Sequence, residues 1–499
     1  MYGRLRGDQT SPGSTWTDIP PSYAEELDQR WNTWLSRQYS SREMLAAAWG
    51  ADLRVCEDPR QGTVRLLRKV EFPSANTARF TAESTFYAGI EQAWFEEMVD
   101  YLQKDLGVKQ IILGSSDHNQ GLNNSLHLRN LARFEITDWH YYWQHPEFPR
   151  DKGWSRENWW ITNTPMVDDP DRCVIARVSR SKVKGLPYLV SETNLPFPND
   201  FAAGFLPILA AYARFQDWDG IFLYTYDESF SSETVDEGEI STFFNISKDP
   251  VKMGESVAAG LAFLRGDVQP ARQVVERYLS AQTLIESQLM PLKEAPYLVP
   301  HLPGRLALTH QVCISGFDAE TGAPKAGEIL LEPVNITSDT GELRWNAPYN
   351  DGRVFVDTPR WQVVIGRAGE MSTANLSVHL TTPYAAIQII SLDGEAISQS
   401  GQILLVTTAR VANTGMTWQD ASRRSMGVHF GHAPTRIEPV TGTLVLNGLE
   451  KARKVSLQPL DGYGQPLGTP HPLVELQNGW RVSLDEVLSG VWHLIRIER

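Results

Sequence analysis

Along the first part of the chain, helical periods alternate with short apolar runs. Glu25 lies three residues after Ser22, the spacing of a capping box, so a helix is expected from Ser22 through Trp31 and Trp34. Between residues 86 and 106, the apolar positions Phe86, Ile90, Trp94, Met98, Tyr101 and Leu102 repeat at helical spacing, and Gly107 follows as a stop. The apolar runs at 110–114, 134–138, 187–190 and 220–224 are short, bounded by turn residues and separated by helical stretches. That rhythm predicts βα units and a parallel sheet.

After Tyr278 the pattern changes. Strand-like runs are expected at 328–333, 342–345, 353–356, 361–365, 385–390 and 403–409, with turn signals at 350–352 and at Asp393-Gly394. A last group covers 443–446, 454–459 and 491–497, with Asn447-Gly448 expected as a hairpin turn. The expected fold class is therefore α/β plus all-β. A helix-and-strand region spans 1–278, a connector and antiparallel β-sandwich domain 279–435, and a small β domain 436–499.

Composition adds mainly exclusions. The 499 residues carry a net charge of −14 and no Lys/Arg run, which argues against nucleic acid as a partner. No apolar stretch approaches the roughly 18 residues of a membrane span. Cys56, Cys173 and Cys313 match no zinc or redox spacing, and the acidic loop beginning at Asp227 and Glu228 has no EF-hand spacing, so no cofactor or metal is expected. Residues 1–15 show no signal-peptide pattern and read as the middle of a loop, which leaves the compartment open.

Chemistry gathers just past the apolar runs, where a (β/α)8 barrel builds its active site. The four runs end in Ser115-Ser-Asp117-His118-Asn119, Asp138-Trp-His140-Tyr-Tyr142-Trp143, Ser191-Glu192-Thr-Asn194 and Tyr224-Thr-Tyr226-Asp-Glu228. Each mixes aromatic or hydroxyl groups with carboxylates, and three carry His or Asn. Glycosidic chemistry uses that mixture: a carboxylate at the anomeric centre, donors for hydroxyls, and rings for sugar faces. Plainer readings compete, with Asp117, His118 and Asn119 capping a helix and some of the tryptophans filling the core. Trp143, beside His145-Pro146, is the choice for a sugar platform.

Residues 187–194, followed by Pro196-Phe-Pro-Asn199 and by Gln216-Asp-Trp-Asp-Gly220, resemble strands 7 to 8 of clan A retaining glycoside hydrolases. The likeness is to β-galactosidase-like or cellulase-like members. It implies a partial (β/α)8 barrel, strands 5 to 8, with Glu192 as the catalytic nucleophile. His140 and Tyr142 match the strand 6 His-X-Tyr signature, whose tyrosine holds the nucleophile. The substrate contacts expected from these strand ends are Asp117, His118, Asn119, His140, Tyr142, Trp143, Asn194, Tyr224 and Tyr226. Tyr224 and Tyr226 stand where the clan has tryptophan.

The clan's acid/base lies in an Asn-Glu pair at the end of strand 4. On the resemblance, Met1 falls in the loop after that pair, so strands 1 to 4 and the acid/base are expected upstream. Asp117, Asp138, Asp227 and Glu228 are the carboxyls available as substitutes, and none sits at the clan's position. The implied function is hydrolysis of O-glycosidic bonds in an oligo- or polysaccharide by double displacement, impaired in this chain. The alternatives are a non-catalytic carbohydrate-binding protein and a truncated gene product that self-associates through exposed barrel edges.

Overall fold

The computed structural model describes residues 20–67, 71, 74–116, 125–149, 153–228, 238–286, 303–317, 334–487 and 490–499. It combines helices, a small parallel sheet and a large antiparallel sheet.

The helical entry starts with α1 (Pro21–Gln38), whose cap is Pro20 with Pro21 in the first turn. Ser22 therefore lies inside the helix and does not cap it; a proline at the first helical position supplies the same start signal. Helix α2 (Arg42–Trp49) is capped by Ser41, which accepts from Met44 N. The predicted long helix is α3 (Thr77–Asp100), extended by a π turn (Tyr101–Asp105) before Gly107 at φ +66°. Its buried face is set by Phe80, Phe86, Tyr87 and Phe95, whereas Trp94 and Tyr101 point outward. Trp31 of α1 stacks on Trp49 of α2 and packs on Phe86 of α3, so these three helices share one core.

Three parallel strands follow, β1 (Thr137–Tyr142), β2 (Tyr188–Asn194) and β3 (Gly220–Leu223), in spatial order β1-β2-β3. Helix α4 (Ser125–Leu131) precedes β1, α5 (Val174–Val178) lies between β1 and β2, α6 (Phe205–Phe215) between β2 and β3, and α7 (Pro250–Arg265) after β3. The run at 110–114 is not a fourth strand: it has no ladder partner among the described residues, and Ile111 and Leu113 are exposed. An apolar run becomes a strand only when a neighbouring strand takes its backbone groups; β1 pairs with β2 instead.

Two further strands, β4 (Val274–Leu279) and β5 (Gln311–Phe317), form a separate parallel pair that the sequence pattern does not announce. Residues 328–333 lie outside the described set. From residue 335 the chain builds a 12-stranded sheet. Its first members are β6 (Asn335–Thr337), β7 (Leu343–Asn346), β8 (Arg353–Asp357), β9 (Trp361–Ser372), β10 (Leu376–Ser391) and β11 (Gln402–Thr408). A two-stranded ribbon, β12 (Val411–Thr414) and β13 (His432–Ile437), interrupts it. The sheet resumes with β14 (Gly442–Asn447), β15 (Lys454–Leu460), β16 (His471–Pro472), β17 (Val474–Leu476), β18 (Gly479–Ser483) and β19 (Trp492–Glu498). The turn at 350–352 does join paired strands, β7 and β8. Asn447-Gly448 does not: β14 pairs with β10 and β18, while β15 pairs with β19 and β16. A positive φ at Gly448 suits a turn, but the strand that follows, β15, takes its partners from β19 and β16 and not from β14. Strands on both sides of residue 435 thus pair in one sheet, as β10 with β14 and β11 with β19.

The centre of this sheet is buried on both faces. Trp361, Val363, Ile365, Ala386 and Ile390 join one core with the helices around β1–β3, while Val364, Ile387, Ile389 and Leu405 join the second with Leu444 and Val482. Polar ties fix the joint. Trp345 Nε1 donates to the Val167 carbonyl at 2.8 Å, and Arg367 pairs with Asp168 through both carboxylate oxygens. The buried Glu255 of α7 accepts from Gly204 N and Thr408 Oγ1, both at 2.6 Å. Gly204 sits at φ +88° and a Cβ there would meet Ile365 Cγ2 at 2.5 Å, so only glycine lets α6 approach the sheet this closely.

Candidate active site

The candidate site lies at the C-terminal ends of β1, β2 and β3. Its shape comes from an irregularity in β2. Against β1, Asp138 pairs with Leu189 and His140 with Glu192; against β3, Val190 pairs with Ile221 and Thr193 with Leu223. Two residues of β2 therefore oppose one on each neighbour, which re-aims the side chains at this point. Ser191 and Glu192 both leave the strand's buried face, and the Glu192 side chain is 28% exposed.

Each Glu192 oxygen has its own partner. Tyr142 Oη donates a hydrogen bond to Oε1, and His140 Nδ1 lies 3.1 Å from Oε2. Burial, then the carboxylate it donates to, pushes the Tyr142 hydroxyl well above the ordinary phenol range. Tyr142 thus acts only as a donor, which favours the ionised carboxylate. Behind Glu192, Asp138 is 1% exposed. It accepts from Ser191 N at 2.8 Å and Ser191 Oγ at 2.6 Å, and His140 Nε2 lies 2.8 Å from that Oγ.

The floor is aromatic. Phe244 contacts Tyr142 and His145, both at 5.2 Å between centroids, and Tyr224 at 5.7 Å. Burial holds the His145 imidazole below its usual range, which favours the neutral ring. Trp154, 71% exposed, stacks on Phe148 at 5.0 Å and meets His145 edge-on at 5.4 Å. Tyr224 and Tyr226 are exposed at the end of β3, and burial, then Glu228 and Glu192, raises the Tyr224 hydroxyl.

Of the expected site residues, His140, Tyr142, Glu192 and Tyr224 come together here, and Tyr226 follows on the same stretch. Asp117, His118 and Asn119 lie outside the described residues. Asn194 is fully buried and serves the backbone: Nδ2 donates to the carbonyls of Tyr224 (2.6 Å) and Phe244 (2.8 Å), and Oδ1 accepts from Leu195 N. With those groups engaged it holds the end of β3 against the 244–247 stretch and has no reach to a substrate. Trp143 is also in the core, its Nε1 donating to the Thr164 carbonyl at 2.9 Å, so it lacks the open face a sugar platform needs. The ring with that face is Trp154, in a tryptophan-rich stretch where sequence alone does not separate core from surface.

Among the possible second carboxyls, Asp138 is consumed by Ser191, and Asp227 accepts from Asn245 Nδ2 and Ser247 Oγ. Glu228 is half-buried; burial raises its carboxyl, while Thr242 and Arg156 favour the anion. Ser191, Phe244, His145 and Trp154 were not singled out from the sequence. Ser191, next to Glu192, and His145, just past the end of β1, carried a signal; Trp154 and Phe244 arrive from more distant stretches. Comparisons with family models, with curated proteins and with solved structures return no match.

Proposed function

We propose that the chain is a glycosidase unit that cleaves O-glycosidic bonds with retention, with Glu192 as the nucleophile, and that β1–β3 with their helices are part of a (β/α)8 barrel. The observation that carries this reading is the grip on Glu192: Tyr142 on one oxygen, His140 on the other, at the end of the middle parallel strand. A carboxylate held at both oxygens, yet partly open to solvent, is oriented for attack on a sugar carbon above it. The aromatic surroundings, Tyr224 and Trp154 among them, suit the apolar faces of sugar rings.

In the first step a Glu192 oxygen forms a bond to the anomeric carbon as the bond to the departing oxygen breaks, and the departing oxygen takes a proton. In the second step water adds at the same carbon, releases the carboxylate and gives up a proton. Tyr142 and His140 stabilise the carboxylate before attack and again as it leaves. The large β-sheet is tied to the helices and turns around β1–β3 through the Glu255–Thr408, Trp345–Val167 and Arg367–Asp168 contacts.

The test is hydrolysis of a panel of dinitrophenyl glycosides, whose leaving group departs without protonation. Turnover of one sugar type that is lost in Glu192→Ala is the expected result. No turnover of any, or turnover that survives the substitution, overturns the reading.

A further inference from the structure

The hydroxyl of Ser191 has a single hydrogen, and Asp138 takes it. Oγ donates to Asp138 Oδ2 at 2.6 Å while the Ser191 N–H donates to Oδ1 at 2.8 Å. At the 2.8 Å contact between Ser191 Oγ and His140 Nε2, the ring nitrogen must therefore be the donor. The other ring nitrogen, Nδ1, lies 3.1 Å from Glu192 Oε2. An ionised carboxylate has no hydrogen to give, so that contact is a hydrogen bond only if Nδ1 also carries one. A hydrogen on Nδ1 as well as on Nε2 makes the ring a cation lying between two carboxylates, with Nδ1 at 3.1 Å from Glu192 Oε2 and Nε2 at 3.4 Å from Asp138 Oδ2.

We propose that the buried Asp138, whose carboxylate holds the Ser191 hydrogen and itself faces His140 Nε2, is a positioning residue that fixes His140 as an imidazolium and so keeps Glu192 ionised and aimed. The proposal rests on the reading of Glu192 as nucleophile. Among the described residues, the other titratable groups facing this pair are Tyr142 on Oε1, with His145 and Tyr224 and, beyond the two tyrosines, Glu228. Of these, Tyr142 donates its hydroxyl hydrogen to the other Glu192 oxygen, so it supplies none to Oε2. Asp138 lies too deep to meet substrate, which separates its role from that of an acid/base.

Asparagine at 138 gives a sharp contrast. Its carbonyl keeps the Ser191 N–H, so its amide faces Oγ. The Ser191 oxygen then accepts from the amide, and its own hydrogen, with no carboxylate left to take it, turns onto Nε2, which leaves the ring neutral with a hydrogen on Nδ1 alone. Removing only the hydroxyl, in Ser191→Ala, leaves the Asp138 carboxylate facing Nε2 and the ring charged.

The experiment is ring-nitrogen NMR on the full chain at pH 7, where a free imidazole is mostly neutral, together with kcat and KM. Two protonated nitrogens are expected for His140 in the wild type and in Ser191→Ala, and one in Asp138→Asn. Loss of the charge-assisted bond should lower kcat about 10- to 100-fold in Asp138→Asn, with KM within about 3-fold. A neutral His140 ring in the wild type overturns the proposal. So does a charged ring in Asp138→Asn. If Asp138→Asn fails to fold, the wild type and Ser191→Ala still decide it, since a neutral ring in either contradicts the hold of the Asp138 carboxylate on the ring. Undiminished hydrolysis by Glu192→Ala would instead sink the nucleophile reading, and the ring measurement would stand apart from it.

Discussion

His140 and Glu192 face each other across the parallel ladder of β1 and β2, with Nδ1 3.1 Å from Oε2. The ladder slips by one residue just before this pair, so the meeting depends on the irregularity in β2 as much as on either side chain. The opposite oxygen of Glu192 belongs to Tyr142.

Tyr142→Phe removes the donor to Oε1 without changing the ring that packs on Phe244. A hydrogen bond to a charged group contributes about 1.5 to 3 kcal/mol. Activity on an activated glycoside should fall roughly 10- to 100-fold, and the acidic limb of the pH–rate profile should move to higher pH because the carboxylate loses a stabilising donor. An unmoved limb would mean that the tyrosine does not act on Glu192.

Asn194→Ala should destabilise the fold by about 2 to 4 kcal/mol, since it removes a buried side chain and strands the carbonyls of Phe244, buried, and Tyr224, partly buried. Urea unfolding measures this. A loss under about 0.5 kcal/mol would contradict the structural role given to this residue.

Trp154 and Trp143 should separate cleanly. Trp154→Ala is expected to raise KM for an oligosaccharide several-fold with an unchanged Tm, because the ring is exposed on Phe148. Trp143→Ala should lower stability by about 3 to 5 kcal/mol, the usual scale for a deleted core aromatic. The reverse pattern would restore Trp143 as the sugar platform.

Glu255 gives a pH dependence of stability. Burial raises its carboxyl from 4.5 to about 7. The folded chain therefore binds this proton more tightly than the unfolded chain. The contribution favours folding most below about pH 4.5, and weakens as pH rises to about 7, by about 3 kcal/mol at most. Glu255→Gln keeps a carbonyl for Gly204 N and Thr408 Oγ1 and removes the titration. Relative to that variant, wild-type stability from urea unfolding should fall between pH 5 and pH 7, with Asp249, which also acts on Glu255, unchanged in both. Parallel curves would contradict the assignment.

Much of this architecture is legible in the sequence because it follows from local periodicity. The runs at 134–138, 187–190 and 220–224 correspond to β1, β2 and β3, although β1 and β2 each extend four residues further, into the polar stretch that carries the chemistry. Glu192, His140 and Tyr142 were visible as a polar strand-end set. Pairing partners were not visible: whether residues 110–114 find a strand, or which strand follows Asn447-Gly448, is decided by neighbours distant in the chain. Burial of individual aromatic and amide side chains was equally hidden. Asn194 and Trp143 look like substrate contacts from their strand-end places, and the fold spends both on its own backbone.

The most direct measurement of the central claim is covalent trapping. A dinitrophenyl 2-deoxy-2-fluoroglycoside reacts without leaving-group protonation and forms a slowly hydrolysed ester with the nucleophile. Mass spectrometry of the digested protein, across gluco-, galacto- and manno-configured reagents, should find one fluoroglycosyl group on the peptide containing Glu192 and none in Glu192→Ala. Labelling of a different carboxylate, or no labelling by any of the three, would contradict the account.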